Sequence, residues 1–171
     1  MQQYVAYKIK RNRRFGNFSG TGAGKTLTAI VSSRVIDSKM TVIVCPNAVV
    51  DQWEDSIKKT FPDSVVIPRM AAFHEKYEEN KHKYLVINYD LFSQPLSSNW
   101  VLELTEQKID FVVLDEIHFT KRRDEKQSNR RTNIEGLLSK ARDAYVLGLS
   151  ATPVINERDF FEVCNDILSN C

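Results

Sequence analysis

The chain has 171 residues, 42% of them hydrophobic and 27% charged, which is typical of one globular domain. No apolar run approaches the ~20 residues that a membrane-spanning helix needs, and the first residues do not form a secretory signal. The three cysteines and three histidines show no metal-ligand spacing. These features exclude membrane-spanning and collagen-like chains and predict an intracellular protein with reduced thiols.

The net charge of +2 is segregated along the chain. The first fourteen residues carry +5 and residues 121–131 carry +4, so the remainder is acidic. Blocks of positive charge attract polyanions, although such runs also occur as solvated surface. The second block supplies candidate phosphate contacts for a nucleic acid, which are Lys121, Arg122, Arg123, Arg130 and Arg131.

Short apolar runs of strand length alternate with amphipathic stretches of helix length. The predicted strands are 41–45, 64–67, 84–88, 111–114 and 145–149, and the predicted helices are 25–36, 48–60, 98–107, 132–142 and 157–168. Continuous apolarity indicates strands that are buried on both faces, as in a parallel sheet covered by helices. The pattern predicts an α/β fold with a mostly parallel central sheet, helices on both faces and one domain over residues 1–171. The polar segment 68–83 is predicted to be a loop.

A glycine-rich loop, SGTGAGKT, occupies Ser19–Thr26 immediately before the first predicted helix. Glycines at 20, 22 and 24 let backbone N–H groups converge on phosphate oxygens. In this Walker A pattern Lys25 would reach the β- and γ-phosphates of ATP, and Thr26 would offer its hydroxyl to Mg²⁺. Ser19 replaces the usual first glycine, and a simple glycine-rich turn is the alternative interpretation. The predicted nucleotide-binding residues are Gly20, Thr21, Gly22, Ala23, Gly24, Lys25 and Thr26.

Two carboxylates follow an apolar strand at Asp115 and Glu116. In P-loop folds the first carboxylate of such a pair serves the Mg²⁺ shell and the second activates the attacking water. We therefore predict Asp115 as a metal ligand and Glu116 as the general base. An exposed turn is the alternative interpretation of the pair considered alone. His118, two residues further on, is predicted to link the ATP site to another element.

Four motifs occur in the order found in helicases: SGTGAGKT at 19–26, VCPN at 44–47, DEIH at 115–118 and SAT at 150–152. They resemble motifs I, Ia, II and III of the first RecA-like lobe of superfamily-two helicases. The segments VIVCPNAVVDQWEDSIKK, YLVINYDLF and LSATPVINERDFFEV are most similar to the Swi/Snf-type DNA translocases. The resemblance extends from about residue 2 to residue 161.

The resemblance implies further roles. Pro46 and Asn47 would face nucleic acid, and Ser150 and Thr152 would couple the ATP state to movement between lobes. Gln2 lies at about the distance from Lys25 at which the family places an adenine-reading glutamine, although the surrounding family motif is missing and a disordered terminus is the alternative. The chain stops soon after motif III, so the second lobe and its arginine finger are expected to lie outside it.

The resemblance implies the ATP-binding lobe of an ATP-dependent DNA helicase or translocase, with ATP and Mg²⁺ as cofactors. Its partners would be DNA, expected to be double-stranded and bound without sequence preference, and a second RecA-like lobe. It would act in the cytoplasm, with the nucleoid, or in the nucleus. Two alternatives remain: the motor lobe of a restriction or repair helicase, and a non-hydrolysing nucleotide-binding scaffold. The isolated lobe is expected to be nearly inactive as an ATPase.

Overall fold

The computed structural model describes residues 2–67, 73, 76–93, 97–121, 125–152 and 167–168. Its helices are α1 (Gln2–Asn12), α2 (Lys25–Val35), α3 (Val50–Thr60), α4 (Ser97–Glu106) and α5 (Glu125–Lys140). Its strands are β1 (Arg14–Asn17), β2 (Met40–Cys45), β3 (Val65–Ile67), β4 (Lys83–Asn88), β5 (Phe111–Leu114) and β6 (Tyr145–Leu149). No helix in the described ranges is long and apolar enough to cross a membrane.

The six strands form one sheet in the order β1-β6-β5-β2-β4-β3, and every neighbouring pair is parallel. Strands β2, β5 and β6, which lie inside the sheet, are almost wholly buried, as their uninterrupted apolar sequences indicate. All six strands therefore end at the same edge of the sheet. This architecture confirms the predicted α/β fold with a parallel sheet.

Alternate residues of each strand enter two separate cores, one on each face of the sheet. In β2, for example, Val42 and Val44 pack on one face, while Ile43 and Cys45 pack on the other. Side chains from α4 and α5 cover the first face, and side chains from α1, α2 and α3 cover the second. Helices on both faces agree with the sequence prediction.

The N-terminal basic segment is a helix followed by an edge strand, neither of which was predicted. Val5, Ala6 and Ile9 in α1 are buried, at a spacing that places them on one helical face. Strand β1 then pairs with β6. The charges of this segment obscure a short apolar stripe, which is the signal that sequence analysis missed.

Helix α5 begins at Glu125, seven residues before its predicted start at Thr132. Arg130 and Arg131, predicted to contact nucleic-acid phosphates, are only 6% and 1% exposed, and Lys121 is 3% exposed. The prediction is therefore wrong for these three residues, because a buried side chain cannot meet a surface ligand. The predicted phosphate contacts Arg122 and Arg123, and all of the predicted helix 157–168 except its last two residues, lie outside the described part of the chain.

Candidate nucleotide-binding site

The strand order brings the sequence motifs to one place on the sheet edge. The glycine-rich loop follows β1, the acidic pair follows β5, and the Ser150–Thr152 segment follows β6, which lies between those two strands. Parallel strands place all three connections at their carboxyl ends, which is where open α/β sheets bind ligands. A cavity of about 400 Å³ lies there, lined by residues 21–26, Val49, Gln52, Trp53, Asp115, Glu116 and Ala151.

The glycine-rich loop has the backbone that a phosphate cradle needs. Gly22 and Gly24 have φ angles of 72° and 77°, a left-handed backbone conformation that is energetically unfavourable for residues other than glycine. Helix α2 begins at Lys25, directly after Gly24, so its free N–H groups and positive dipole end point towards the cavity. The arrangement can bind an anion.

The side chains around the loop hold it in shape. The Lys25 ammonium donates hydrogen bonds to the carbonyl oxygens of Ser19 and Gly20, at 2.9 and 2.8 Å. The Asn17 carbonyl Oδ1 accepts from the Ser19 hydroxyl at 2.9 Å and from its backbone N–H at 3.3 Å. Ser19, at the first position of the motif, thus anchors the loop through its hydroxyl, as glycine could not.

Gln2 lies in helix α1 beside this loop. Its amide Nε2 would be 3.1 Å from a Cβ atom built on Gly24. The helix accounts for this position because its buried stripe packs α1 against the same face of the sheet as α2. The role of Gln2 in reading adenine remains a prediction, but the residue belongs to an ordered helix next to the phosphate loop.

Both oxygens of the Asp115 carboxylate accept hydrogen bonds. Oδ2 accepts from the Trp53 indole N–H at 2.8 Å, and Oδ1 accepts from the Glu116 backbone N–H at 3.0 Å. Burial raises the pKa of Asp115, the bond from Trp53 opposes that rise, and the neighbouring charge of Glu116 adds to it. The carboxylate is therefore held in one orientation at the edge of the cavity.

Glu116, His118 and Ser150 form a hydrogen-bonded cluster between β5 and β6. The Ser150 hydroxyl donates to Glu116 Oε2 at 3.0 Å, and His118 Nδ1 lies 3.2 Å from the same oxygen. His118 Nδ1 also lies 3.3 Å from Ser150 Oγ, which in turn accepts the Thr152 backbone N–H at 3.1 Å. The predicted base and the three predicted coupling residues are thus in direct contact.

A divalent metal would have few protein ligands here. Among the described residues, no group of three or more His, Cys, Asp or Glu side chains could hold a metal ion. Thr26 and Asp115 both line the cavity and offer hard oxygen atoms. This donor set fits Mg²⁺, which commonly binds through one or two protein oxygens together with nucleotide phosphates and water.

The family model described as ResIII, the res subunit of type III restriction enzymes, matches residues 1–155. The chain belongs to this family. No curated protein gave a significant sequence match.

Solved helicase cores share the fold of this ResIII chain. The Sulfolobus solfataricus SWI2/SNF2 ATPase core in complex with dsDNA matches 98% of the chain with a TM-score of 0.68 at 20% identity. The Pyrococcus furiosus Hef helicase domain matches 97% with a TM-score of 0.73 at 18% identity. The chain covers only 33% and 35% of those two proteins. These matches confirm the predicted RecA-like fold.

Two site residues of this ResIII lobe were not assigned a role from sequence. Trp53 bonds the Asp115 carboxylate, and the buried Tyr89 hydroxyl donates to the Asp115 backbone carbonyl at 2.8 Å. Burial raises the pKa of Tyr89 well above its ordinary value, so the hydroxyl remains a donor at neutral pH. Tyr89 directly follows β4, and Trp53 lies in the helix that follows β2. Their position after strands of a parallel sheet was the sequence signal that could have identified them.

The predicted nucleic-acid residues Pro46 and Asn47 lie on the same sheet edge, after β2. Asn47 is exposed, and its side-chain oxygen accepts a hydrogen bond from Asn88 Nδ2 at 3.0 Å. Asn88 ends β4, and its Oδ1 accepts from the N–H groups of Asp90 and Leu91. The two adjacent strand ends thereby form one ordered polar surface.

Proposed function

We propose that the chain is the ATP-binding lobe of an ATP-dependent helicase or translocase that moves along nucleic acid. The proposal rests on one observation: Lys25, Thr26, Asp115 and Glu116 all line the same cavity. Membership of the ResIII family and the helicase fold support it. The chain supplies a phosphate cradle, oxygen ligands for a metal, and a candidate base.

In the proposed mechanism, the loop N–H groups and Lys25 bind the phosphates of ATP with Mg²⁺. Lys25 would exchange its bonds to the Ser19 and Gly20 carbonyls for bonds to phosphate oxygens. Bound Mg²⁺ would neutralise phosphate charge, with Thr26 and Asp115 as its protein ligands. Glu116 would accept the proton of the attacking water, held in place by Ser150 and His118.

Coupling to movement would begin at Glu116. Any change in charge or position at this carboxylate acts directly on Ser150, because the two share a hydrogen bond. Ser150 begins the segment after β6 and also fixes the Thr152 backbone, so the response passes to the loop that the family resemblance assigns to interlobe coupling. A second RecA-like lobe and a DNA partner are part of this proposal. The matching SWI2/SNF2 ATPase core was solved in complex with dsDNA, which supports DNA as the polymer.

The motor lobe of a restriction or repair helicase is the second candidate, because the matching family is described by a restriction subunit. Its lobe would use the same residues in the same roles. The two candidates differ in the domains attached to the lobe. A non-hydrolysing scaffold is disfavoured, since it needs no base beside its metal ligand, whereas Glu116 lines the cavity and is held by two side chains.

Calorimetric titration with Mg-ATP tests the proposal. We expect saturable binding by the wild type and no measurable binding by Lys25→Ala, because the substitution removes the cation beside the phosphates. Lys58→Ala is the matched control, since Lys58 is exposed in the last turn of α3 and does not line the cavity. Equal affinity of the wild type and Lys25→Ala would contradict the assignment of the loop.

A further inference from the structure

The hydrogen bond between Trp53 and Asp115 joins two parts of the chain that are 62 residues apart. Trp53 is 1% exposed and lies in the first turn of α3, packed in the core that α1, α2 and α3 share. A buried indole N–H needs an acceptor, and here the acceptor is a charged oxygen at 2.8 Å. The bond therefore ties the Asp115 carboxylate to a side chain that is packed in the core.

Two donors with fixed positions prevent the Asp115 carboxylate from rotating. Its other oxygen accepts the N–H of Glu116, whose backbone is left-handed with φ 47°. Each oxygen keeps a second lone pair, which remains available to a cation or a bound water. Loss of the indole donor would free one oxygen and allow the carboxylate to turn away from the cavity.

Helix α3 also connects Asp115 to the outer surface of the sheet edge. The helix starts directly after the Asn47–Val49 turn, so Trp53 lies four residues from the end of that turn. Val49, Gln52 and Trp53 all line the same cavity as the phosphate loop. A displacement of the turn would move the indole and, through it, the carboxylate.

We propose that Trp53 is a positioning residue that holds the Asp115 carboxylate in its metal-binding orientation and ties metal affinity to the position of helix α3. The inference rests on the proposed function, because it assumes that a nucleotide with a divalent cation binds in this cavity. Trp53 acts on the metal through Asp115 and does not contact it. The partners of metal-binding side chains typically change metal affinity 10–100-fold when they are removed.

The principal test compares AMP-PNP binding in EDTA with binding across a Mg²⁺ titration. The affinity of Trp53→Phe in EDTA serves as the variant's own baseline, because Trp53 lines the cavity while the phosphate loop stays intact. The Mg²⁺ concentration that gives half of the metal-dependent gain in affinity should rise about tenfold. Mg²⁺ binds free AMP-PNP equally in the wild-type and variant titrations, so a difference between their midpoints measures a change in the protein's metal site. Trp100→Phe, the same substitution at the second tryptophan, should leave both quantities at wild-type values.

A fluorescence measurement tests the inference without altering Trp53. The chain has two tryptophans, so the emission of Trp100→Phe comes from Trp53 alone. When AMP-PNP is present, added Mg²⁺ should change this emission saturably, with the same midpoint as in the binding titration. Asp115→Ala should abolish the response, because it removes the acceptor of the indole bond. This measurement decides the matter even where Trp53→Phe fails to fold.

Unchanged Mg²⁺ dependence in a folded Trp53→Phe protein, or emission of Trp53 that ignores Mg²⁺ while nucleotide binds, would overturn the positioning role. Either result would leave the proposed function standing, because AMP-PNP would still bind. Absence of nucleotide binding by the wild type, in EDTA and in Mg²⁺, would overturn both the function and the role of Trp53.

Discussion

Gly24 and Glu116 both adopt a left-handed backbone at the site, for different reasons. Gly24 has φ 77° at the entry to α2, where the absence of a Cβ atom removes the steric cost. Glu116 has φ 47° and does have a Cβ atom, so its conformation costs roughly 1–3 kcal/mol. Hydrogen bonds to its side chain from Ser150 and to Asp115 from its own N–H hold it there. These bonds, made just after strands β5 and β6, hold the predicted base in its strained conformation.

Glycine substitutions in the phosphate loop test the backbone requirement directly. Gly24→Ala should lower the free energy of unfolding by about 1–2 kcal/mol, since alanine disfavours a left-handed backbone. The new methyl group would also stand 3.1 Å from Gln2 Nε2. Gly20→Ala is the matched control, because its Cβ would have nothing within 4 Å. Urea unfolding of both variants measures the difference, and equal stability would contradict the requirement at Gly24.

One buried arginine connects helix α5 to the turn that follows β4 and to the turn that follows the acidic pair. Arg130 donates to Ser93 Oγ at 2.9 Å, to the Phe119 carbonyl at 3.3 Å and to Asp90 at 3.3 Å. Its guanidinium also lies over the rings of Tyr89 and Phe119, which stack on each other. Because the Tyr89 hydroxyl also donates to the Asp115 backbone carbonyl, these contacts connect α5 to the candidate site.

Arg130→Ala should therefore destabilise the fold by about 2–4 kcal/mol, as it removes several hydrogen bonds and leaves the buried Ser93 hydroxyl without its charged donor. Arg142→Ala is the control, because Arg142 is exposed and bonds only the nearby Ser139 carbonyl among the described contacts. We expect a change below about 0.5 kcal/mol for the control. Urea unfolding compares the two, and equal effects would show that Arg130 contributes no more than a surface side chain.

Sequence reasoning succeeded where one pattern had one physical meaning. The apolar run Phe111–Leu114 followed by Asp115 and Glu116 predicted a buried strand with carboxylates at its end, and the structure has that strand. It failed where charge was ambiguous. The basic residues of 121–131 fitted a nucleic-acid contact and a solvated surface equally well, and only tertiary packing decides that Arg130 is buried. The Trp53–Asp115 bond also required three-dimensional information, because 62 residues separate its partners.

The candidate site depends on the whole sheet, because its parts come from strands that are neighbours only in space. Residues of the phosphate loop and of the acidic pair are about ninety positions apart and are brought together by β6, which lies between β1 and β5. Local fraying of one helix would leave this edge in place, whereas opening of the central strands would dismantle it. We therefore expect the free energy of opening the site to equal the free energy of unfolding the whole fold.

Cys45 provides a probe for opening of the central sheet. It ends β2, is fully buried, and burial, together with the charges of Asp115 and Glu54, raises its pKa to about 12. The ordinary thiol pKa is 9.0, so the unfolded chain ionises at lower pH than the native chain. A raised pKa of this kind contributes stability that is fully present below pH 9 and is lost as the pH rises towards 12.

Labelling of Cys45 with a disulfide reagent should therefore report global unfolding. In a Cys164→Ser, Cys171→Ser protein at pH 8, we expect the native thiol to react at least about 10³-fold more slowly than in urea, because labelling must wait for the sheet to open. Saturation with Mg-ATP at 100 times its dissociation constant should slow labelling about a further 100-fold, since the ligand binds only the folded chain. Lys25→Ala in the same background should lose this second effect and keep the first. Native labelling as fast as that of the unfolded chain would show that the sheet edge opens locally, and protection by ATP in Lys25→Ala would show that nucleotide binds elsewhere.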